Sequence, residues 1–295
     1  MKSSTNNILV PLGFSEQSRI ALKQAENFAK INDAEITLLS VVEESGMFRR
    51  LFGDDEEKYF EIKKDVQVKL DELAKESQDR TGLTVNAIVS RGKVYDKIVE
   101  TAEMLNASYI IMGTEGEPRD FSRKLMGSNA YRVVTTSKTP VITIKGKKHR
   151  SHCNNIILPL DMEKETKEKV SYAMDLAKRW DATVKVVSVT VGRDEETKAQ
   201  MLMNLHQVEE ILKSNSVKCM TETIRGHKRE TLAEAVMNYA EKENGDLIMI
   251  MTQQELDFTS NFLGSSAQAM IYKSEIPVMC IRPSSRGEFS YGNYA

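Results

Sequence analysis

Short apolar runs alternate along this chain with longer stretches in which apolar residues recur every three or four positions. In the first half, the runs cover residues 8–12, 36–42, 85–89, 109–112 and 141–144. Runs of this length without polar alternation predict strands that are buried on both faces. The stretches between them predict helices, which begin after an N-cap at Ser15, near Asp54, at Val94 and at about Ser128.

The second half shows the same alternation of short runs and helical stretches. Strands are predicted near 156–160, 183–189, 218–224, 247–251 and 278–281, and helices near 164–180, 195–214, 229–243 and 265–273. Strands that alternate with helices form parallel sheets, because each parallel connection must cross over the sheet. The predicted fold class is therefore α/β, with two tandem doubly wound domains that each contain a five-stranded parallel sheet.

Sequence blocks shared by the two halves indicate a duplicated domain. Residues 6–12 (NNILVPL) reappear at 154–160 (NNIILPL), and 126–130 (MGSNA) corresponds to 263–267 (LGSSA). Matched blocks in the same order, separated by about half the chain, indicate two complete domains rather than short stacked repeats. We predict domains at 1–147 and 153–285, followed by a C-terminal tail at 286–295.

The composition argues against several classes of protein. Apolar residues make up 40% of the chain and charged residues 28%, as in a soluble globular protein. The net charge of -2 gives no general attraction to nucleic acid or to an anionic membrane, and no apolar run is long enough to span a bilayer. Three scattered cysteines and a start without signal-peptide character predict a protein of the cytoplasm. Neither nucleic acid nor a membrane is expected as a partner.

Glycines after the fourth strand are the main candidates for chemistry. Ligands of such sheets bind beyond the carboxyl ends of the strands. Gly113 and Gly116 follow the fourth strand, and Gly127 precedes the helix start at Ser128. Glycine lets backbone amides approach an anion closely, and a helix N-terminus adds unpaired N–H groups. This pattern fits a di- or triphosphate site, and it fits equally a tight turn followed by a Ser-capped helix. Three basic residues lie between the glycines: Arg119, Arg123 and Lys124.

The chain resembles a tandem universal stress protein, and the resemblance covers both halves nearly end to end. It rests on the opening strand, the second strand at 38–42, Gly92 and the terminal Gly-Ser and Thr-Pro-Val blocks. It implies the strand order 3-2-1-4-5 in each domain and a pseudo-two-fold intramolecular dimer formed through the fifth strands. It also implies an adenine nucleotide, ATP or AMP, whose base meets the backbone of Val41. The phosphates would be held by Gly113, Gly116, Gly127 and Ser128.

Each half departs from the family's nucleotide signature. In the first half, ten residues rather than the usual nine separate the second and third glycines, and Pro118 lies among them. ATP-binding members usually carry Asp where this half has Gly13, so a ligand for Mg²⁺ or Mn²⁺ is missing. Alternatively, Gly13 is present because the turn requires a positive φ. In the second half, Asp161 restores the carboxylate or serves only as a turn residue. Residues 252–254 contain no glycine, so no triphosphate site is expected there.

Other candidate residues have simpler interpretations. The apolar and basic segment 47–52 is interpreted as a loop over the cleft, with a membrane or partner contact as the alternative. His149, His152 and Cys153 are metal-ligand types, but they are interpreted as part of a solvated basic linker. No catalytic residue and no metal ligand is predicted. Five methionines are expected to fill core space: Met104, Met112, Met174, Met237 and Met249.

The resulting hypothesis is a cytoplasmic stress-response regulator that binds an adenine nucleotide in its first domain. One alternative is a slow ATP hydrolase, although the sequence shows no general base. The other is an interaction or scaffold protein that binds no nucleotide. The glycines retained at 113, 116 and 127 favour the first hypothesis over the last. The regulatory protein partner cannot be named from the sequence, and a homodimer remains open.

Overall fold

In the computed structural model, the chain forms two compact units, which take most of their residues from the first and the second half respectively. The structure describes residues 6–43, 56–114, 128–146, 152–160, 166–190, 194–226, 230–252 and 263–282, without the side chains of 166–168. Several predicted features lie outside the described residues, namely Gly116, Gly127, Asp161, the segment 47–52 and the tail 286–295.

The first unit alternates strands and helices in the predicted order. Its strands are β1 (Asn6–Pro11), β2 (Ala34–Glu43), β3 (Val85–Gly92), β4 (Tyr109–Gly113) and β5 (Val141–Ile144). Its helices are α1 (Glu16–Asn32), α2 (Glu56–Thr81), α3 (Val94–Met104) and α4 (Ser128–Thr136).

The second unit has the same succession of elements. Its strands are β6 (Asn155–Leu160), β7 (Thr183–Val189), β8 (Cys219–Ile224), β9 (Leu247–Met251) and β10 (Val278–Ile281). Its helices are α5 (Thr166–Trp180), α6 (Glu195–Ser214), α7 (Leu232–Lys242) and α8 (Ser265–Lys273). None of the described helices is both long enough and apolar enough to cross a membrane.

Both sheets are parallel and have the expected strand order. In the first unit, β1 pairs with β2 and β4, β2 pairs with β3, and β4 pairs with β5, which gives the order 3-2-1-4-5. The second unit repeats this order, because β6 pairs with β7 and β9, β7 pairs with β8, and β9 pairs with β10. The predicted fold class is confirmed for each domain.

Helix α1 shows how the ends of an element are set. Ser15 is its N-cap, as predicted, and the Ser15 hydroxyl accepts a hydrogen bond from the Ser18 amide. Asp33 ends the helix in the left-handed conformation, at a φ of 48°. Asp181, directly after α5, has a φ of 51°. The same number of residues separates Asp33 from Asp181 and Asn7 from Asn155. Helix α5 therefore aligns with α1 in sequence without a gap.

The core of each unit lies between its sheet and the covering helices. The central residues of the inner strands β1 and β6, such as Ile8 and Ile157, are fully buried. Met112 and Met249 are buried, as expected, whereas Met174 and Met237 are half-buried. The expectation that Met104 fills core space is wrong, because its side chain is 67% exposed. The buried face of α3 carries Ile98, Thr101 and Ala102. The helical rotation of about 100° per residue places Met104 to one side of this face, at the last residue of the helix.

Candidate functional site

The carboxyl ends of β1 and β4 meet at the switch point of the first sheet. Strands β1 and β4 are neighbours, and the strands that follow them, β2 and β5, lie on opposite sides of this pair. In parallel sheets, the crevice that binds ligands lies beyond the strand ends at such a point. Three of the predicted site residues lie at this edge of the sheet: Val41 near the end of β2, Gly113 at the end of β4 and Ser128 at the start of α4. Gly13 lies in the loop after β1.

The position of Gly13 has room for a side chain. A Cβ built on this glycine meets no atom within 4 Å, and its φ lies outside the left-handed region. The alternative that Gly13 is required by a positive φ is therefore wrong. The positive φ in this loop belongs to Phe14, at 60°. This conformation is uncommon for an aromatic residue and costs about 1–3 kcal/mol.

Val41 lies where β2 extends beyond β1. The last paired residue of β1, Pro11, lies opposite Leu39, and the Leu39 carbonyl accepts a hydrogen bond from the Leu12 amide at 2.8 Å. Backbone groups reverse direction at each residue of a strand, so those of Val41 face the same side as those of Leu39. Strand β1 has ended at that level. The N–H and C=O of Val41 therefore face the crevice rather than a paired strand.

Gly113 packs closely against the side chain of Gln17 on α1. A Cβ added to Gly113 would come within 2.7 Å of Cγ and 3.3 Å of Cβ of Gln17. The Gln17 amide also donates a hydrogen bond of 2.7 Å to the Ile144 carbonyl on β5. Because Ile144 is the register partner of Gly113, the glutamine crosses directly over the glycine. Close packing against Gln17 therefore accounts for glycine at position 113.

Thr114 directly follows Gly113 at the end of β4. Its backbone amide donates to the Ile144 carbonyl at 3.1 Å. The residue is only 1% exposed, and its hydroxyl has no hydrogen-bond partner among the residues that the structure describes. A buried hydroxyl without a partner is uncommon and costs roughly 1–3 kcal/mol.

Ser128 is the first residue of α4, and its side chain is exposed. The first four backbone amides of a helix have no partner within the helix, and the helix dipole is positive at this end. The start of α4 can therefore receive an anion at the carboxyl edge of the sheet. Two of the glycines predicted to share this role, Gly116 and Gly127, lie outside the described residues.

Two arginines of the first unit are held by aromatic rings. The guanidinium of Arg91, near the end of β3, lies 4.3 Å from the centroid of the Tyr59 ring and forms an ion pair with Glu56 at 2.8 Å. That of Arg132, on α4, lies 4.5 Å from the Tyr95 ring centroid. Cation–π contacts of this kind orient a guanidinium and leave its charge in place. The ion pair with Glu56 offsets the charge of Arg91.

The second unit differs at the position of Gly113. The register partner of Ile281 on β10 is Met251, so a methionine takes the place of the glycine. The next residue, Thr252, donates through its amide to the Ile281 carbonyl at 2.9 Å, as Thr114 does to Ile144. However, the Thr252 hydroxyl also bonds to this carbonyl, at 3.4 Å. At this position the side chain of Met251 prevents the close approach to the backbone that a glycine would allow.

A buried lysine lies beside the central strand of the second sheet. Lys169, on α5, is 3% exposed, and its ammonium group donates a hydrogen bond of 2.6 Å to the Pro159 carbonyl near the end of β6. The aligned residue in the first unit is Ala21, which is fully buried. Sequence reasoning missed this lysine, because charged positions on a helix usually face solvent. The matching edge of the second sheet thus contains a cation of its own.

One further groove lies away from the carboxyl edges at which the strand order reverses. A groove of about 340 Å³ opens between the end of β8 and α7, where it is lined by Arg225, Asn238, Tyr239 and Lys242 among others. Strand β8 is an outer strand, so this groove is distant from the switch point between β6 and β9. Within the described part of the chain, no group of three or more acidic, histidine or cysteine side chains could hold a metal ion.

Comparison with protein families gives two matches to one family model. The universal stress protein family matches residues 4–145 and again residues 152–282. The chain belongs to the universal stress protein family. Because the two matches follow one another along the chain, it is a tandem member with one universal stress protein domain in each half.

Individual universal stress proteins match one domain or the whole chain. A universal stress protein of Methanocaldococcus jannaschii is 28% identical over 155 residues, which cover 48% of this chain and 94% of that protein. One from Mycolicibacterium smegmatis is 23% identical over 300 residues, covering 94% of this chain and 97% of the relative. The crystal structure of a universal stress protein from Archaeoglobus fulgidus covers 96% of this chain and 99% of its own, with a TM-score of 0.76 and 22% identity. This structure supports the fold alone.

Proposed function

We propose that this universal stress protein binds an adenine nucleotide, ATP or AMP, in its first domain and acts through it as a stress-response regulator. The observation that carries the proposal is the extension of β2 beyond β1, which turns the N–H and C=O of Val41 into the crevice. Adenine carries an amino donor beside a ring-nitrogen acceptor, so one residue's backbone groups complement its edge.

The start of α4 supports the same proposal at the phosphate end of the ligand. Ser128 is exposed at the helix N-terminus, where unpaired amides and the helix dipole favour negative charge. The sequence adds glycine at 116 and 127 before this helix. In this arrangement, the base binds at β2 and the phosphates bind at α4.

Gly13 determines what the site offers a metal ion. Since no carboxylate stands at this position, the loop after β1 lacks the carboxylate ligand that would bind Mg²⁺ or Mn²⁺ there. We expect nucleotide binding that depends only weakly on these ions. The second domain is proposed to bind no nucleotide, because Met251 replaces the glycine at the end of its fourth strand.

Calorimetric titration of the full-length protein with ATP and with AMP tests the proposal. Gly127→Asp is expected to abolish binding, because it places a side chain and a negative charge before α4. The matched control is Gly264→Asp before α8, where an added Cβ meets no atom within 4 Å. This control should bind as the wild type does. Equal loss in both variants, or loss only in the control, contradicts the proposal.

Analysis of the nucleotide after incubation separates the alternatives. Bound ATP that is recovered intact supports a regulator, whereas steady release of ADP and phosphate indicates a hydrolase. A wild-type protein that binds neither ATP nor AMP indicates an interaction protein without a nucleotide. If bound ATP is recovered intact, a regulatory partner protein should be sought by comparing the nucleotide-loaded form with the nucleotide-free form.

A further inference from the structure

Two equivalent threonines, one in each domain, differ in the hydrogen bonding of their hydroxyl groups. Thr114 and Thr252 each follow the fourth strand of their sheet, and each backbone amide donates to the last residue of the fifth strand. The Thr252 hydroxyl bonds to that same residue, at the Ile281 carbonyl. The Thr114 hydroxyl has no such bond, although both threonines are at least 98% buried.

Gln17 explains the difference. Its side-chain amide donates to the Ile144 carbonyl at 2.7 Å, so this acceptor is already occupied by Gln17 and by the Thr114 amide. A carbonyl oxygen has two lone pairs, and both are now used. In the second half the residue that aligns with Gln17 is Glu165. An ionised carboxylate has no hydrogen to donate to a carbonyl.

We propose that the Thr114 hydroxyl is a ligand-binding group of the first domain, and that Gln17 is a positioning residue that keeps this hydroxyl available. The ligand atom that we assign to it is a phosphoryl oxygen of the bound nucleotide. This inference rests on the proposed nucleotide function. It adds a side-chain contact that lies outside the glycine signature.

The chemistry of the two partners supports this assignment. A hydroxyl that donates to an anionic oxygen forms a stronger bond than one that donates to a neutral carbonyl. Thr114 lies at the end of β4, the strand from which the chain enters the glycine-bearing segment. A group left unsatisfied at such a place in the free protein gains its partner only when the ligand binds, so its full effect appears in affinity.

Thr114→Val tests the assignment, with Thr252→Val as the matched control. Valine keeps the shape of threonine and removes only the hydroxyl. We expect Thr114→Val to weaken ATP binding by about tenfold or more, the size of a hydrogen bond to a charged group. The melting temperature of its nucleotide-free form should be unchanged or raised, because an unsatisfied group is removed. Thr252→Val should leave ATP affinity unchanged and lower the melting temperature, since it removes a bond.

Gln17→Met tests the positioning role. Methionine keeps a methylene at Cγ, which packs over Gly113, but it removes the amide donor. The Ile144 carbonyl then becomes available to the Thr114 hydroxyl. ATP affinity should fall by a factor similar to that of Thr114→Val, and the double variant should bind no more weakly than Thr114→Val alone. A purely structural role for Gln17 predicts that the two losses multiply, which would overturn the positioning role.

The outcomes separate this inference from the proposed function. If the wild-type protein binds neither ATP nor AMP, both the proposed function and this inference are wrong. If the wild type binds nucleotide and Thr114→Val binds it equally well, the inference is wrong and the proposed function stands. A nucleotide-free Thr114→Val protein that melts well below the wild type shows that the hydroxyl has a partner within the protein, and this result also overturns the inference.

Discussion

At the scale of single residues, Gly113 is constrained by Gln17. Gly113→Ala would bring a Cβ within 2.7 Å of the Gln17 side chain. We expect the free energy of unfolding to fall by about 1–3 kcal/mol, the usual cost of overpacking. Urea denaturation measures this loss. Gly13→Ala is the matched control, because its Cβ meets no atom within 4 Å, and it should cost little or stabilise slightly.

Gln17→Ala provides the second part of this test. It removes the Cγ that clashes and leaves the Cβ contact at 3.3 Å and the contact with the backbone carbonyl carbon at 3.4 Å. In this background, Gly113→Ala should cost clearly less than it does in the wild type. Strictly additive losses in the double variant would show that something other than Gln17 constrains the glycine.

Gly13 allows a direct test of the missing carboxylate. Gly13→Asp should fit the loop, since the position is exposed and its φ is not left-handed. We expect tighter ATP binding when Mg²⁺ or Mn²⁺ is present, because the cation bridges the carboxylate and the phosphates. Without metal, the added charge should weaken binding by repulsion. Titrations with and without metal measure both signs. Equal binding under the two conditions would mean that the loop does not reach the phosphates.

Sequence reasoning proposed some residues of the candidate site and missed others for a physical reason. Val41 and Ser128 lie at strand and helix ends, which patterns and resemblance locate. Gln17 and the Thr114 amide both donate hydrogen bonds to Ile144 on another strand, and no local pattern in the sequence records such contacts. Lys169 was missed because its burial is visible only in three dimensions.

At the scale of elements, an ion pair holds the end of α7 to the neighbouring strand. The Lys185 ammonium on β7 donates to the backbone carbonyl and to the carboxylate of Glu243, each at 2.9 Å. The hydrogen bond from Lys185 holds the pKa of Glu243 below its ordinary value of 4.5. A lowered pKa in the folded state stabilises the fold above the ordinary value, and this contribution is lost as the pH falls through the folded pKa.

Stability should therefore decline in part through Glu243 as the pH falls below about 4.5. Glu243→Gln should reduce stability at neutral pH and flatten the decline in this range. Urea denaturation at a series of pH values measures both effects. The control is Glu241→Gln, at an exposed position on the same helix. An unchanged pH profile in Glu243→Gln would show that the pair contributes nothing.

The existence and order of the elements could be predicted almost fully from the sequence. Buried strands of a parallel sheet are continuous apolar runs, and their helices have a regular apolar stripe, so both leave local signals. The ends differ from the prediction by up to three residues, as at β3, which ends at Gly92 rather than at residue 89. β4 extends to Gly113 because this residue still pairs with Ile144. The strand order came from the resemblance, since the alternation of strands and helices alone fits several parallel orders.

At the scale of the whole molecule, duplication has produced two domains with different carboxyl edges. The first has Gly13, Gly113 and an unpaired Thr114 hydroxyl among its described residues. The second has Met251 at the position that Gly113 occupies in the first. We therefore expect one nucleotide per chain. Titration at protein concentrations well above Kd measures this number directly, and a value of two would show that the second edge also binds.

The backbone of Val41 has a consequence for mutational scanning. If the base is recognised through the N–H and C=O of this residue, exchange of valine for isoleucine, threonine or alanine leaves both groups in place. Such variants would keep their affinity, and a scan would score the position as unimportant. Proline is the exception, because it alone lacks the N–H. In a complete substitution library selected for nucleotide binding, position 41 should accept most small and branched residues and reject proline.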